Sequence, residues 1–246
     1  MRVFRIVVTA AAIVIVQTII CGIAMLPAVL LWRGGVTLAP PHSPLEIVVA
    51  SMLLIPAYIV FALCLMPVSA ILMWIAGART PPRVELRISD MSWPLMKWVQ
   101  YMSGAHIVRL VSGTMFRGSP LWTAYLRMNG ARIGKRVFIN TLSIADHNLL
   151  ELGDDVVIGA DVHISGHTVE DGMLKTAGVR VGSNVTIGLG SAIDIDVDIG
   201  DGCQIGALTL VPKHTRLDPN AVYVGIPARK LSERGADAFG PVAASR

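Results

Sequence analysis

Charged residues are scarce in this sequence. Only 15% of its 246 residues are Asp, Glu, Lys or Arg, whereas soluble globular proteins usually carry about 25%. Hydrophobic residues make up 53% of the chain, so we expect part of it to lie in lipid. The formal charge of +4 fits a protein beside an anionic membrane surface. No basic tract interleaved with aromatics marks a nucleic-acid site, so the sequence predicts no nucleic-acid partner.

Cysteine is also scarce. Cys21, Cys64 and Cys203 form neither a CxxC metal pattern nor a disulfide framework. The first two fall inside apolar runs and the third inside a repeat described below. This usage suits a reducing compartment.

Two long runs without charge occupy the N-terminal third. One lies between Arg5 and Arg33, and the other covers 47–77. Each exceeds the roughly 20 residues that a helix needs to cross a bilayer. A cleaved signal peptide is the alternative for the first run, but its apolar region would be only about 7–15 residues long. Two adjacent runs favour a transmembrane hairpin, and basic residues at its outer ends predict cytoplasmic termini.

The segment 92–130 mixes Trp and Tyr with Lys and Arg. Such side chains prefer the headgroup layer of a bilayer. We therefore predict one or two amphipathic helices on the membrane surface. An ordinary helix that caps the next domain is an equal alternative. The residues are Trp93, Lys97, Trp98, Tyr101, Arg109, Arg117, Trp122, Tyr125 and Arg127.

An aliphatic residue recurs at every sixth position in the C-terminal half. A six-residue period predicts a short strand and a turn, and three such units close one triangular coil of a parallel β-helix. We expect the aliphatic residue, and a small residue four places later, to point inward. The Gly, Asp or Asn after the aliphatic suits a corner, because these residues tolerate positive φ. The repeated aliphatics are Val181, Ile187, Ile193, Ile199, Ile205, Val211 and Leu217, with earlier copies from Ile133 onward.

These patterns divide the chain into four predicted parts. They are a transmembrane helical hairpin at 1–80, an amphipathic interfacial linker at 81–126, a hexapeptide-repeat β-helix at 127–230 and a C-terminal tail at 231–246. The predicted fold class is accordingly mainly β, with roughly four coils in the β-helix.

The six-residue register breaks once on a large scale. It stops after Ile164 and resumes at Val181, so about eleven residues are inserted. An insertion in a solenoid is usually a loop on a functional face. A second polar cluster lies about one coil earlier, where the register slips by one residue. The insertion carries His167, Glu170, Asp171 and Lys175, and the earlier cluster is Asp146, His147 and Asn148.

These residue types suit general-base chemistry. A histidine titrates near pH 6.5, so its neutral form could take a proton from an acceptor hydroxyl or amine that attacks a thioester. A carboxylate on its other ring nitrogen would hold its tautomer. We predict His167 as the catalytic base, with Glu170 or Asp146 as its orienting partner, although a merely exposed histidine is the alternative. The predicted substrate-binding residues are Asn148, Asp171 and Lys175.

Zinc is a further alternative, since His147, His163 and His167 are ligands by type. β-Helix carbonic anhydrases have one distant histidine and a close pair separated by four residues. Here the close pair is separated by three residues, and His147 lies only one coil earlier. We therefore predict no metal site.

The repeat and the closing segment AVYVGIPARKL together resemble the hexapeptide acyltransferase superfamily. The resemblance implies a left-handed coil, a homotrimer with active sites between neighbouring prisms, and an acyl-CoA or carrier-protein thioester as co-substrate without a permanently bound cofactor. It also implies donor-binding residues near the end of the prism. These are Gly225, Pro227, Ala228 and Arg229, with Lys213 and Lys230 as phosphate contacts.

A longer stretch, roughly residues 118–215, is similar to the membrane-embedded C-terminal region of poly-lysine-synthetase-type nonribosomal peptide synthetases. The spacing of His167, Glu170, Asp171 and Lys175 is the most specific part of this likeness. The sequence holds no adenylation or carrier domain. We therefore expect the thioester to come from solution or from a separate acyl- or peptidyl-carrier protein.

The sequence thus predicts a membrane-bound acyltransferase that moves an acyl or aminoacyl group to an amine or hydroxyl. Its predicted location is the inner (cytoplasmic) membrane, with the β-helix facing the cytoplasm. A non-catalytic trimeric membrane scaffold is the main alternative. The histidine-bearing insertion favours the enzyme, because a scaffold has no need for it.

Overall fold

The computed structural model describes residues 2–231, so the predicted tail lies outside the described residues from position 232 onward. Two long helices come first, α1 (Arg2–Val36) and α2 (Pro44–Ile75). Both are long and apolar enough to cross a membrane by length and composition. Many of their apolar side chains are exposed. This agrees with the predicted apolar hairpin, whereas insertion into a bilayer stays a prediction.

The turn between the two helices is defined by local capping. Ser43 accepts a hydrogen bond from the backbone N–H of Glu46, and Pro44 occupies the first helical turn, where its missing N–H costs nothing. The indole N–H of Trp32 donates to the carbonyl of Ala50 at 2.9 Å, which ties α1 to α2.

The linker forms a strand and three helices that pack between the apolar hairpin of α1 and α2 and the β-helix. The fully buried side chains of this region, Tyr101, Trp122, Tyr125 and Leu126, belong to the main hydrophobic core. The Trp122 indole donates to the Thr141 carbonyl at 3.1 Å, which places it on the first coil. These contacts are those of helices that cap the first coil of the β-helix. The elements are β1 (Glu85–Arg87), a 3-10 turn (Ile88–Asp90), α3 (Trp93–Val108), a π-helical turn (Arg109–Gly113), α4 (Thr114–Phe116) and α5 (Pro120–Met128).

The C-terminal half is a parallel β-helix with three strand stacks, as its six-residue period predicts. The left-handed sense stays a prediction from the resemblance. The first stack contains β3 (Phe138–Ile139), β5 (Val157–Ile158), β10 (Thr186–Ile187), β13 (Gln204–Ile205) and β16 (Val222–Val224), with β17 (Arg229–Lys230) antiparallel at its edge. The second contains β6 (His163–Ile164), β11 (Ala192–Ile193) and β14 (Leu210–Val211). The third contains β2 (Arg132–Ile133), β4 (Leu150–Leu152), β9 (Val179–Val181), β12 (Val197–Ile199) and β15 (Arg216–Leu217).

The inward-facing positions agree with the sequence pattern. Ile158, Ile187 and Ile205 pair in register across three neighbouring coils, and all are buried. Most of the small residues four places after an aliphatic, such as Ser191 and Cys203, are buried as well, whereas Thr215 is half-buried. Stacking of like residues therefore fills the narrow interior.

The expected reason for the glycines after each aliphatic is wrong. The left-handed backbone lies two residues further on, for example at Asn184, with φ of 57°. The glycines serve a close approach instead. A Cβ on Gly188 would lie 2.5 Å from the backbone nitrogen of Ala207 in the next coil, closer than side chains tolerate.

The insertion is an ordered β-hairpin. Strands β7 (His167–Glu170) and β8 (Met173–Thr176) pair antiparallel around Asp171 and Gly172, both of which have positive φ. A two-residue turn of this kind matches strand twist. Strand β1 adds to the outer edge of β8, and Leu174 is buried against Leu95 and Met96. The linker thus covers the hairpin.

Candidate active site

Asp146 and His167 meet where the hairpin leaves the coil. Asp146 takes a left-handed conformation at the register slip, with φ of 56°. The backbone N–H of Gly166 donates to its Oδ2 at 3.2 Å. A Cβ on Gly166 would lie 2.8 Å from the Cβ of Asp146, so the approach requires glycine at this position.

The Asp146 carboxylate is buried and accepts four hydrogen bonds. Its Oδ1 accepts from the Thr80 hydroxyl at 2.6 Å and from the Trp98 indole N–H at 3.1 Å. Its Oδ2 accepts from Nδ1 of His167 at 2.5 Å and from Gly166. Burial by itself raises the pKa of this carboxyl, but the hydrogen bonds from His167, Thr80 and Trp98 outweigh it and lower the pKa. Asp146 is therefore an anion at neutral pH.

This anion determines the tautomer of His167. An ionised carboxylate only accepts hydrogen bonds, so Nδ1 carries the proton, and Nε2 of the neutral ring carries the lone pair. The edge of the ring meets the Trp98 indole, with 5.0 Å between ring centroids and 69° between planes. The Ser165 hydroxyl donates to the backbone carbonyl of His167 at 2.7 Å. Asp146 and Trp98 thus hold the imidazole, and Ser165 holds the backbone of the same residue.

A cleft of about 400 Å³ lies beside this histidine, on the face formed by β6, β11 and β14. The His167 side chain remains 22% exposed while Asp146 is inaccessible. Burial and the nearby positive charge of His167 lower the pKa of the neighbouring His163. The lowered pKa favours the neutral ring of His163 at pH 7. Its lining includes His163, Ser165, His167, Thr168, Asp194 and Leu210.

Glu170 does not bind His167, so of the two predicted orienting partners the structure places Asp146 there. The Glu170 carboxylate binds Lys175 at 2.7 Å and Lys213 on the other oxygen. Hydrogen bonds from these two lysines lower the pKa of Glu170 to about 2. The ion pairs fasten the hairpin to the corner that carries Lys213.

The predicted substrate contacts lie away from the cleft. The Asn148 amide bonds both the N–H and the carbonyl of Thr80, at 3.3 and 2.9 Å. Asp171 forms the exposed hairpin turn, and Lys175 is held by Glu170. The structure therefore gives Asn148 the task of fastening the linker that brings Thr80 to Asp146.

The predicted donor segment borders the cleft through one residue. Leu210 lines the cleft, its N–H donates to the carbonyl of Gly225 at 3.0 Å, and its carbonyl accepts from Ala228 at 2.7 Å. Pro227 lies in the exposed turn between the two strands, and the exposed Arg229 begins strand β17 directly after it. Gly225 has φ of 98°, a conformation that favours glycine.

The zinc alternative finds no support in the described residues. Within 2–231 no group of three or more His, Cys, Asp or Glu side chains could hold a metal ion. His147 is buried, with Nε2 bonded to the Ile144 carbonyl at 3.2 Å. Burial lowers the pKa of His147 to about 4, so it packs as a neutral ring against Tyr101 and Tyr125.

Sequence reasoning missed Thr80 and Trp98. Both lie in the segment that follows the apolar hairpin, far along the chain from the residues they bind. Trp98 lies in an amphipathic segment, which predicts contact with the membrane as readily as contact with Asp146. Thr80 belongs to no recognisable sequence pattern. Neither a period nor a motif connects them with Asp146.

Comparison with known proteins finds curated relatives of part of the chain. No protein-family model matches the chain. It is 29% identical over 165 residues to the delta-poly-L-ornithine synthetase of Acinetobacter baumannii, covering 65% of this chain and 12% of that protein. It is 35% identical over 109 residues to the galactoside O-acetyltransferase of Escherichia coli, covering 41% of this chain and 53% of that protein. The chain therefore spans about half or less of these relatives.

Two solved structures match part of the chain at low TM-scores. A galactoside acetyltransferase in complex with coenzyme A matches 55% of this chain and 85% of its own, with 25% identity and a TM-score of 0.40. A hexapeptide-repeat acetyltransferase from Vibrio cholerae matches 42% of this chain and 62% of its own, with 23% identity and a TM-score of 0.38. The relationship predicted from the sequence is confirmed by the curated relatives: this chain is a homologue of hexapeptide-repeat acyltransferases.

Proposed function

We propose that this protein transfers an acyl group from a thioester to an amine or hydroxyl, with His167 as general base and Asp146 as its orienting carboxylate. The observation that carries the proposal is the 2.5 Å hydrogen bond between Nδ1 of His167 and the buried Asp146. This bond leaves the lone pair of Nε2 for a proton on an acceptor in the adjoining cleft.

The reaction follows from that arrangement. Nε2 of His167 takes the proton from the acceptor O–H or N–H as the acceptor attacks the thioester carbonyl carbon. The tetrahedral intermediate collapses, the C–S bond breaks, and the leaving thiolate takes the proton back from Nε2. The products are an ester or amide and a thiol, and the histidine returns to its neutral form. Asp146 stabilises the imidazolium between the two proton transfers.

The donor is proposed to be acyl-CoA or a carrier-protein thioester. The donor segment borders the cleft through Leu210, and Arg229 next to it is exposed. Lys213, the other implied phosphate contact, binds Glu170 instead. The curated relatives include an acetyltransferase and a poly-ornithine synthetase, so both hydroxyl and amine acceptors deserve assay.

Membrane attachment and a homotrimer complete the proposal. Helix α2 ends at Ile75, and Thr80 already contacts Asp146. Five residues span at most roughly 18 Å, so an apolar hairpin in the inner membrane would hold the cleft close to the cytoplasmic surface. The cleft lies on an outer face of the prism. The prism of a second subunit could close it.

The test uses the full-length protein in detergent or nanodiscs. Thiol release is followed with acetyl-CoA, or with an acetylated carrier protein, against lysine, ornithine and galactoside acceptors. His167→Ala should lower turnover by about 10²–10⁴-fold. His214→Ala is the matched control, because His214 also binds a carboxylate through Nδ1, at 2.9 Å, but outside the cleft. Undiminished turnover in His167→Ala would remove this residue from the mechanism, and no turnover with any donor would favour the scaffold.

A further inference from the structure

A second and larger cavity lies on a different face of the β-helix from His167. It has a volume of about 550 Å³ and is bounded by the linker and by the β2, β4, β9, β12 and β15 stack. Five arginines from distant parts of the sequence line it. Arg79 and Arg83 come from the linker, and Arg132, Arg180 and Arg216 come from the strands.

The strand residues form a ladder of alternating charge. In register, neighbouring coils place Arg132, Glu151, Arg180, Asp198 and Arg216 one above another. Glu151 binds two of these arginines, Arg132 at 2.7 Å and Arg180 at 3.3 Å. Sharing one carboxylate leaves part of each guanidinium without an anionic partner.

The balance of charge around the cavity is positive. Asp196 is likewise shared, by Arg216 at 2.9 Å and Arg83 at 3.9 Å. Five arginines thus face three carboxylates, which are Glu151, Asp196 and Asp198. Arg79 has no carboxylate within 4.0 Å among residues 2–231. The carboxylates that line the cavity are therefore too few to pair with all of its arginines.

The position of the cavity indicates where the anion comes from. Arg79 lies four residues after the end of α2, the second of the two helices that are apolar enough to cross a membrane. Basic residues directly beside such a helix attract anionic headgroups. Arginine also suits phosphate, since its planar donors bind two oxygens at once.

We propose that this cavity is a phosphate-binding site, occupied by the headgroup of an anionic phospholipid or by a soluble phosphate ester. It is separate from the His167 cleft, because the hairpin leaves the prism at the corner between the two faces. The site would fasten the β-helix and linker against the membrane surface.

The test is native mass spectrometry on the full-length protein in detergent. Phosphatidylglycerol, phosphatidylcholine and glycerol 3-phosphate are titrated separately. The variant Arg79→Gln/Arg180→Gln removes two charges from the cavity. The control Arg87→Gln/Arg136→Gln removes the same charge from the same linker and domain, outside the cavity. The cavity variant loses charge-assisted hydrogen bonds, so it should bind phosphatidylglycerol about tenfold or more weakly than the unchanged protein. The control variant should bind it less than about threefold more weakly.

Each outcome decides the proposal. Selective binding of phosphatidylglycerol supports the lipid source, and selective binding of glycerol 3-phosphate supports a soluble ester, provided that only the cavity variant weakens it. Equal weakening in both variants means general surface attraction and overturns the proposal. A cavity variant that loses subunit association while keeping lipid binding means that this face joins copies of the chain, which also overturns it.

Discussion

Residues 2–231 hold two His–Asp pairs, and they differ in surroundings more than in geometry. His214 binds Asp196 at a regular corner, with side chains 63% and 25% exposed. His167 binds Asp146 at the break in the coil, with side chains 22% and 0% exposed. The first pair follows from stacking of equivalent corner positions in neighbouring coils. The second needs Thr80 and Trp98 from outside the repeat. A pair suited to chemistry therefore arises where the repeat is interrupted.

The largest expected difference between the two pairs appears when each carboxylate is replaced by a neutral amide. Asp146→Asn should lower acyl transfer by about 10²–10⁴-fold, because an amide no longer holds the His167 tautomer or stabilises its cation. Asp196→Asn should lower it by less than about threefold. Initial rates of thiol release measure both, with circular dichroism to check folding. Equal losses in the two variants would mean that the buried pair has no special role.

Packing sharpens the contrast between the regular coils and the hairpin. Ile187 and Leu174 are both fully buried, the first in the main core and the second in a small cluster under the hairpin. Ile187→Ala should lower the free energy of unfolding by about 2–5 kcal/mol. Leu174→Ala should instead raise hydrogen exchange in 167–176 first, since this cluster is separate from the core. Hydrogen exchange that rises equally in the coils and the hairpin in both variants would contradict this division.

Trp98 tests whether the linker positions the pair. Trp98→Phe keeps an aromatic ring but removes the N–H that Asp146 accepts, and we expect about a tenfold loss of kcat. That hydrogen bond lowers the pKa of Asp146. Its loss should raise the pKa of Asp146, which an NMR titration of the carboxyl carbon measures. Loss of rate with an unchanged carboxyl pKa would assign Trp98 to packing alone.

The smallest expected effect concerns Glu170. Its hydrogen bonds and ion pairs with Lys175 and Lys213 lower its pKa to about 2. The stability that they add to the folded protein is therefore fully present above the unfolded pKa of about 4.3, and it is lost as the pH falls toward 2. At pH 7, Glu170→Gln should raise hydrogen exchange in the hairpin a few-fold. Glu85→Gln, on the neighbouring strand β1, is the control. Exchange that is unchanged in Glu170→Gln would mean that these pairs do not hold the hairpin.

The sequence predicts the parts of this molecule that repeat. The period that begins at Ile133 specifies the coils, and the interruption after Ile164 identifies His167. Local pattern leaves two candidate partners, Asp146 and Glu170, because both lie near the break. The tertiary contacts of the folded chain distinguish the two. The two lysines bind Glu170, whereas Thr80 and Trp98 complete the Asp146 site across long sequence separations that no period records.

The most direct measurement is a double-mutant cycle of kcat/KM in the full-length protein, with His167→Ala, Asp146→Asn and the combined variant. If the two residues act as one unit, the combined variant should be no slower than His167→Ala alone. If their losses multiply, His167 and Asp146 act independently, and the claim that the break in the coil assembles a single catalytic pair is contradicted.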